Sequence, residues 1–326
     1  MSTTDGEMLL DVVDRLFTDL TEDGAMRRAR AGEWLGEAWS AVEEMGLPLA
    51  LVPEEKGGFG IAASDALAIV RLTGRHALPL PLAETMLANH LLAEAGLPLA
   101  QGPASIAVAA GAPVPWGRFV RTLVRETSGG GVERVDSWTV TREGRNLANM
   151  PRDAVAFATD GSAATHGGLP VLAAGAAIRA LQIAGAMERV VELTATHVSE
   201  RQQFGRPISK FQVVQHEIAK LASEAAAASA AADMAAEGFL RGAAGGLAIA
   251  AARVRSGEAV GIGTSVAQQM HGAIGFTEEH RLHWYTTSLW SWRDEFGTHS
   301  HWAQKLGAAA LAAGGAQFWQ FVTEAA

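Results

Sequence analysis

The sequence predicts a mainly α protein with a small β domain: helices in residues 1–97, strands in 98–168 and helices again in 169–326. Three observations carry this. Apolar residues recur every three and four positions in the first and last parts, as amphipathic helices require. The middle is cut into short runs that often alternate apolar and polar residues between Gly-rich or charged turns. The last part joins long helical periods through short links, which suggests a bundle.

In the first part, Leu9, Leu10, Val13, Leu16 and Phe17 share one helix face. A second helix is read over Gly32 to Met45, broken by the Gly and Pro of "MGLPLALVPEEKGGFG". A further helix starts near Ser64, whose hydroxyl could cap it. In the middle, "ASIAVAAG", "RFVRTLVRET", "RVDSWTVT" and "DAVAFATDG" predict about four or five strands, with "SGGGVE" as a turn or loop tip. In the last part, Phe211, Val214, Ile218, Leu221, Ala225, Ala228, Ala232, Ala235 and Phe239 form one heptad-like stripe. Its alanines let a neighbouring helix approach closely, and Ser209 with Gln212 reads as an S-x-x-Q capping box. Two more helices are read over about Leu247 to Met270 and Ser300 to Ala313.

With 48% apolar and 19% charged residues in 326, the chain is globular rather than disordered. A net charge of -9 argues against a general nucleic-acid surface. The absence of cysteine removes disulfides, thiolate metal sites and thiol nucleophiles. The acidic start lacks the basic and apolar segments of a signal peptide, and the most apolar run, Pro170 to Met187, is interrupted by Arg179 and Gln182. A cytoplasmic protein without a membrane span is expected. His299 and His301 stand on different faces of a helix with no carboxylate pair beside them, so no metal is expected there. Five of the nine Trp fall between 284 and 319, where core packing, a wide pocket for a bulky group, or an interface would each use them.

Two stretches carry candidate chemistry. In "ERQQFGRPISKFQ" (200–212), Arg201, Gln203 and Phe204 sit on a connector between two long helices. A guanidinium there offers a planar fork to pyrophosphate, and the Phe a face to a planar ring. A surface turn with a salt-bridged Arg would look the same. In "QQMHGAIGFTEEHRL" (268–282), Gly272 and Gly275 bracket a tight turn that either lets a ligand approach the backbone or caps a helix.

Together these stretches resemble the acyl-CoA dehydrogenase family. There an R-x-x-F-G-x-P-I-x-x-F-Q segment precedes a Q-x-x-G-G-x-G-F/Y-T-x-E segment. Here they read "RQQFGRPISKFQ" (201–212) and "QMHGAIGFTEE" (269–279), and residues 43–85 are similar to the family's N-terminal helical domain. The resemblance covers about 30–95 and 170–300. It implies a helical N-terminal domain, a reduced central β domain and a C-terminal four-helix bundle. It implies FAD as cofactor, an acyl-CoA substrate and an electron-transfer flavoprotein as acceptor. It also implies dimers or tetramers in which the ADP end of each FAD crosses the subunit interface. By that resemblance Arg201 serves pyrophosphate and Phe204 the adenosine half. Gln269, Gly272 and Ala273 run along the ADP, and Gln203, Phe211, Gln212 and Thr298 are further cofactor-binding positions.

The chain departs from the family pattern in two ways. Neither a T-E-P-x-A-G-S-D loop nor a W-I-[ST]-N strand, which line the flavin ring, occurs in 98–168; Trp116 and Trp138 stand in other contexts. The family's catalytic Glu falls in an E-G-T segment that reads "DEFGT" here (294–298), so Phe296 holds its place and Glu295 stands one residue early, about 100° away on a helix. The other position used for the base lies close to Gly175, and no carboxylate occurs between Asp160 and Glu188. The chain therefore resembles the short partner subunits of heteromeric acyl-CoA dehydrogenases of the sterol side-chain type, completed by a full-length partner. A self-sufficient homodimer using Glu295, or a flavin-free scaffold subunit, are the alternatives.

Overall fold

The computed structural model describes residues 3–325 apart from 109–110, 128–129, 158–161 and 165–166. Helix α1 (Thr3–Leu20) buries Val13 and Phe17 fully, with Leu9, Leu10 and Leu16 packed beside them, as the stripe predicts. The helix expected over Gly32 to Met45 starts four residues later than read, and a helix not singled out from the sequence precedes it. Helix α2 (Asp23–Ala31) ends where Gly32 takes φ 105° and turns its N–H back to the carbonyls of Ala29 and Arg28. Only glycine adopts that geometry cheaply. The Arg145 guanidinium then donates to the carbonyls of Arg30 and Ala31 (2.9 and 3.0 Å). Helix α3 (Gly36–Glu44) follows. Helix α4 (Ala63–Arg75) starts one residue before Ser64, which lies inside the first turn and caps nothing. Helix α5 (Leu82–Glu94) is buried almost all round, so its polar residues need partners. Asn89, for example, donates to the Pro48 carbonyl (3.1 Å).

The middle segment holds more strands than expected: β1 (Ala104–Ala107), β2 (Val114–Pro115), β3 (Thr122–Glu126), β4 (Val132–Val135), β5 (Trp138–Arg142), β6 (Arg152–Phe157) and β7 (Ser162–Ala164). They form one sheet in the order β1-β3-β4-β7 and another in the order β2-β6-β5. "RVDSWTVT" breaks at Asp136 and Ser137, sending β4 and β5 to different sheets. Part of the "SGGGVE" turn, 128–129, lies outside the described residues. On either side of it the Thr127 N–H bonds the Gly131 carbonyl (2.8 Å), closing the β3–β4 hairpin.

Helix α6 (Val171–Glu200) leads through a two-strand ribbon, β8 (Gln202–Gln203) and β9 (Arg206–Pro207), to α7 (Gln212–Leu240). Then come α8 (Gly246–His271), α9 (Leu282–Asp294), α10 (His299–Ala313) and α11 (Phe318–Ala325). Helices α6 to α9 pack on one another, and α10 lies on α8. Helix α6 is long and apolar enough to cross a membrane by composition, yet 89% of its most apolar stretch is buried inside the protein. The α7 stripe is confirmed: Leu221, Ala225, Ala228, Ala232, Ala235 and Phe239 are buried. Its capping box is not. The helix starts at Gln212 from a Phe211 N-cap with no side-chain bond, and Ser209 lies in a preceding 3-10 turn. Trp284, Trp292 and Trp302 are core residues, whereas Trp319 is exposed.

Helix α4 crosses α6 at backbone contact. A Cβ on Gly74 would lie 2.0 Å from the Gln182 carbonyl oxygen, and one on Gly185 2.1 Å from that of Arg71. The reciprocal glycines fix how the N-terminal helices sit on the bundle.

Candidate functional site

A groove of about 620 Å³ opens where α6 and α8 end and α7 begins. It collects Arg201, Gln203, Phe204, Phe211, Gln269, Gly272 and Ala273 from the two sequence motifs. Arg201 is exposed, and its guanidinium pairs with no carboxylate among the described residues. Its carbonyl accepts the Ile208 N–H (2.8 Å), which folds the connector back on itself. Phe204 is 90% exposed at φ 53°, and Gly205 follows at φ 78°. Positive φ at both tip positions suits a two-residue hairpin turn but strains a Phe by about 1–2 kcal/mol. The ring is held edge-on to Phe211 at 6.1 Å, and Arg206 covers Phe211 at 4.2 Å. Gly272 caps α8, donating its N–H to the carbonyls of Gln268 and Gln269, and a Cβ there would meet nothing within 4 Å. That glycine ends the helix and leaves the backbone open to the groove.

Two predicted positions are not brought to this groove. Gln212 is exposed as the first residue of α7 but does not line it. Thr298 instead caps α10, accepting the His301 N–H (3.2 Å). Its neighbour His299 packs on Gly257, fourteen residues back along α8 from His271, or about 21 Å.

Sequence reasoning also missed a cluster of His197, His271 and His280, whose ring nitrogens come within 4.8 Å of one another beside the groove. His197 and His271 stack at 4.3 Å, and His280 stands edge-on to His271 at 4.7 Å. Burial pushes His271 down to about 4, against the opposing bond of its Nδ1 with the Ala267 carbonyl (2.8 Å). Burial also lowers His197, with His280 and Arg201 adding to it, and lowers His280. No periodic spacing links the three; His271 and His280 both fall inside the second motif, but nothing in the sequence brings His197 to them.

At the other end of α6, the two positions that the resemblance gives to a catalytic base meet. A Cβ on Gly175 would lie 2.3 Å from Cδ1 of Phe296, so the Phe296 ring fills the space beside that glycine. Phe296 is itself held at φ 53°. Glu295 is turned away and buried. Its Oε2 accepts from Arg179 (Nε 2.9 Å, Nη2 2.7 Å) and its Oε1 from Asn146 (3.2 Å). Arg179 also binds Glu84 (2.6 Å) and Gln182, and Gln182 passes a bond to Thr73 (2.9 Å). Burial alone would lower the Arg179 guanidinium, but Glu84 and Glu295 together hold it above its ordinary value. Arg253 is pushed down to about 10, first by burial and then by Arg179. It donates to the carbonyls of Trp292, Arg293 and Glu295, 3.0 Å each, pinning the turn after α9. The cavity lined by Glu84, Trp116, Arg179 and Glu295 measures about 30 Å³, the share of one water.

A family profile described as "Acyl-CoA dehydrogenase, C-terminal domain" matches residues 169–293. Over 292 residues the chain is 32% identical to acyl-CoA dehydrogenase IpdE2 of Mycobacterium tuberculosis, covering 86% of this chain and 89% of that protein. The chain belongs to the acyl-CoA dehydrogenase family. It is also 28% identical to acyl-CoA dehydrogenase FadE34 of Mycobacterium tuberculosis, over 83% of this chain and 42% of that one. Among solved structures, a Tcur3481-Tcur3483 steroid ACAD variant superposes with a TM-score of 0.81 at 23% identity, covering 94% and 97% of the two chains. The ChsE4-ChsE5 complex from Mycobacterium tuberculosis does so at 0.79 and 19%, covering 96% and 98%. These two structures share the fold. The protein is thus an acyl-CoA dehydrogenase-family oxidoreductase, and the family's helix–sheet–bundle order is the one it adopts.

Proposed function

We propose that this chain is the catalytically incomplete subunit of a heteromeric acyl-CoA dehydrogenase. It supplies ADP-side contacts to an FAD whose flavin ring rests on a full-length partner. The observation that carries this reading is the Phe296 ring packed on Gly175. Both places for a base are taken by groups that cannot accept a proton, and Glu295 is spent on Arg179. A base must come within about 3 Å of its proton, and Glu295 faces a cavity with room for one water.

The groove fits a dinucleotide tail. Arg201 is exposed and pairs with no carboxylate among the described residues, the Gly272 backbone is open, and Phe204 offers a strained, solvent-facing ring. Twenty-two residues of α6 separate Arg201 from Arg179, about 33 Å. That span favours a tail in this groove whose reactive ring belongs to another subunit. Bound FAD would accept the β-hydrogen of the acyl-CoA as hydride. This chain's residues would hold the diphosphate and exclude water from the ADP half. The partner's carboxylate would take the α-proton, and an electron-transfer flavoprotein would collect the electrons. The steroid dehydrogenase among the structural neighbours supports a ring-bearing acyl-CoA as the substrate class.

The test is flavin absorbance of the purified chain, alone and co-expressed with a full-length acyl-CoA dehydrogenase. Flavin only in the complex, with weaker retention in Arg201→Ala, is expected. One flavin per isolated chain, with turnover lost in Glu295→Gln, would establish the homodimer reading instead. A flavin-binding complex indifferent to Arg201→Ala would leave only the scaffold role.

A further inference from the structure

We propose that His197, His271 and His280 form a binding site for a borderline-soft divalent metal ion of the Zn²⁺ type, with an open coordination position towards the groove. Three separate elements converge to make it: the end of α6, the end of α8, and the turn before α9. The donor set is three imidazoles. With no thiol or carboxylate among them it suits Zn²⁺, Co²⁺ or Ni²⁺ rather than Ca²⁺ or Mg²⁺. Such ligands must be neutral, and imidazoles that are buried or half-buried, as these three are, disfavour the charged form.

His271 gives the second, independent observation. It is 6% exposed, and its Nε2 has no hydrogen-bond partner among the described residues. Its Nδ1 meets the Ala267 carbonyl at 2.8 Å. That bond fixes the proton on Nδ1, leaving the Nε2 lone pair bare, which is the outer-shell arrangement of a metal-ligating His. Plain stacking of His197 on His271 would leave this buried acceptor unsatisfied; a cation satisfies it. His280 Nδ1 now accepts the Leu282 N–H (3.1 Å), so ligation by His280 exchanges that bond for one to the metal. The charged neighbours acting on His197 are Arg201 and Glu200, of opposite sign. The open side is the groove, where water or an anionic oxygen can complete the shell.

The inference does not depend on flavin, and its test uses the chain without it. The purified protein, cleared of metal by a chelator, is titrated at about pH 7.5 with Co²⁺ and with Zn²⁺. Visible absorption of the cobalt form and calorimetry are the readouts. One equivalent per chain is expected, with the cobalt bands erased by Zn²⁺. His271→Ala and His280→Ala should each weaken binding by about tenfold or more. His216→Ala, at an exposed position on α7, should leave it unchanged. Non-saturable binding, or wild-type affinity in both His271→Ala and His280→Ala, would overturn the assignment. Should His271→Ala misfold, the half-buried turn residue His280 still decides the question.

Discussion

Replacing Arg179 by Met should destabilise the chain by several kcal/mol. Arg179 is 2% exposed and is the cation that Glu84 and Glu295 share, at 2.6 and 2.7 Å. Removing one partner of a buried ion pair costs about 3–5 kcal/mol, because the other is left charged and unpaired. Arg152, at 3.7 Å from Glu295 and partly exposed, compensates one carboxylate in part, which favours the lower half of that range. At about 2.1 cal/mol/K per residue, the unfolding entropy of this chain is about 0.7 kcal/mol/K, so the melting temperature should fall by about 4–6 °C. Thermal melts followed by circular dichroism at pH 7 measure the loss. Adding Glu84→Gln and Glu295→Gln to Arg179→Met should recover most of the loss. A wild-type melting temperature in Arg179→Met, or no recovery in the triple variant, would refute the argument that this cluster is a shared-charge unit.

Gly74→Ala should cost about 3 kcal/mol or more by denaturant unfolding, despite about 1 kcal/mol gained in helix propensity, because its Cβ would meet the Gln182 backbone at 2.0 Å. Gly175→Ala should cost less, about 1–3 kcal/mol, since a side-chain ring can shift; combined with Phe296→Ala the clash term should disappear from a double-mutant cycle. Phe204→Gly should raise stability by about 1 kcal/mol while weakening flavin retention in the complex, which equilibrium unfolding and absorbance read separately. His271, held down at about 4 against its usual 6.5, should make the metal-free chain lose stability as pH falls through that window. The unfolded state takes the proton first, and the loss is at most about 3 kcal/mol. The difference between wild type and His271→Gln across that range isolates it.

Legibility followed locality. The α1 and α7 stripes, the connector bearing Arg201 and the turn at Gly272 could be read because each rests on residues adjacent in sequence or one helical turn apart. The departure at Phe296 was also legible, as a mismatch within a short motif. Glu84, Arg179 and Glu295 were not: they meet across 95 and 116 residues, and Glu84 sits in a helix with no polar face to flag it. The histidine cluster escaped for the same reason. Local chemistry failed where competing geometry won. The helix read from Gly32 begins only at Gly36, because Gly32 caps the helix before it, and the 3-10 turn over Ile208–Lys210 took Ser209 away from the cap position. Two consecutive strands of different sheets were read as one because Asp136 and Ser137 separate them without a glycine or proline.

The crossing of α4 on α6 bears on how this protein comes apart. Two backbones locked at reciprocal glycines leave no slack for sliding or hinging, so the front helices and the bundle should melt in one calorimetric transition. The stretch matched by the family profile, 169–293, is a unit of sequence descent but not of mechanical independence. Cut free, it would present the Ala-rich trough of α6 to water. A nicked chain should accordingly precipitate rather than survive as a protease-resistant fragment.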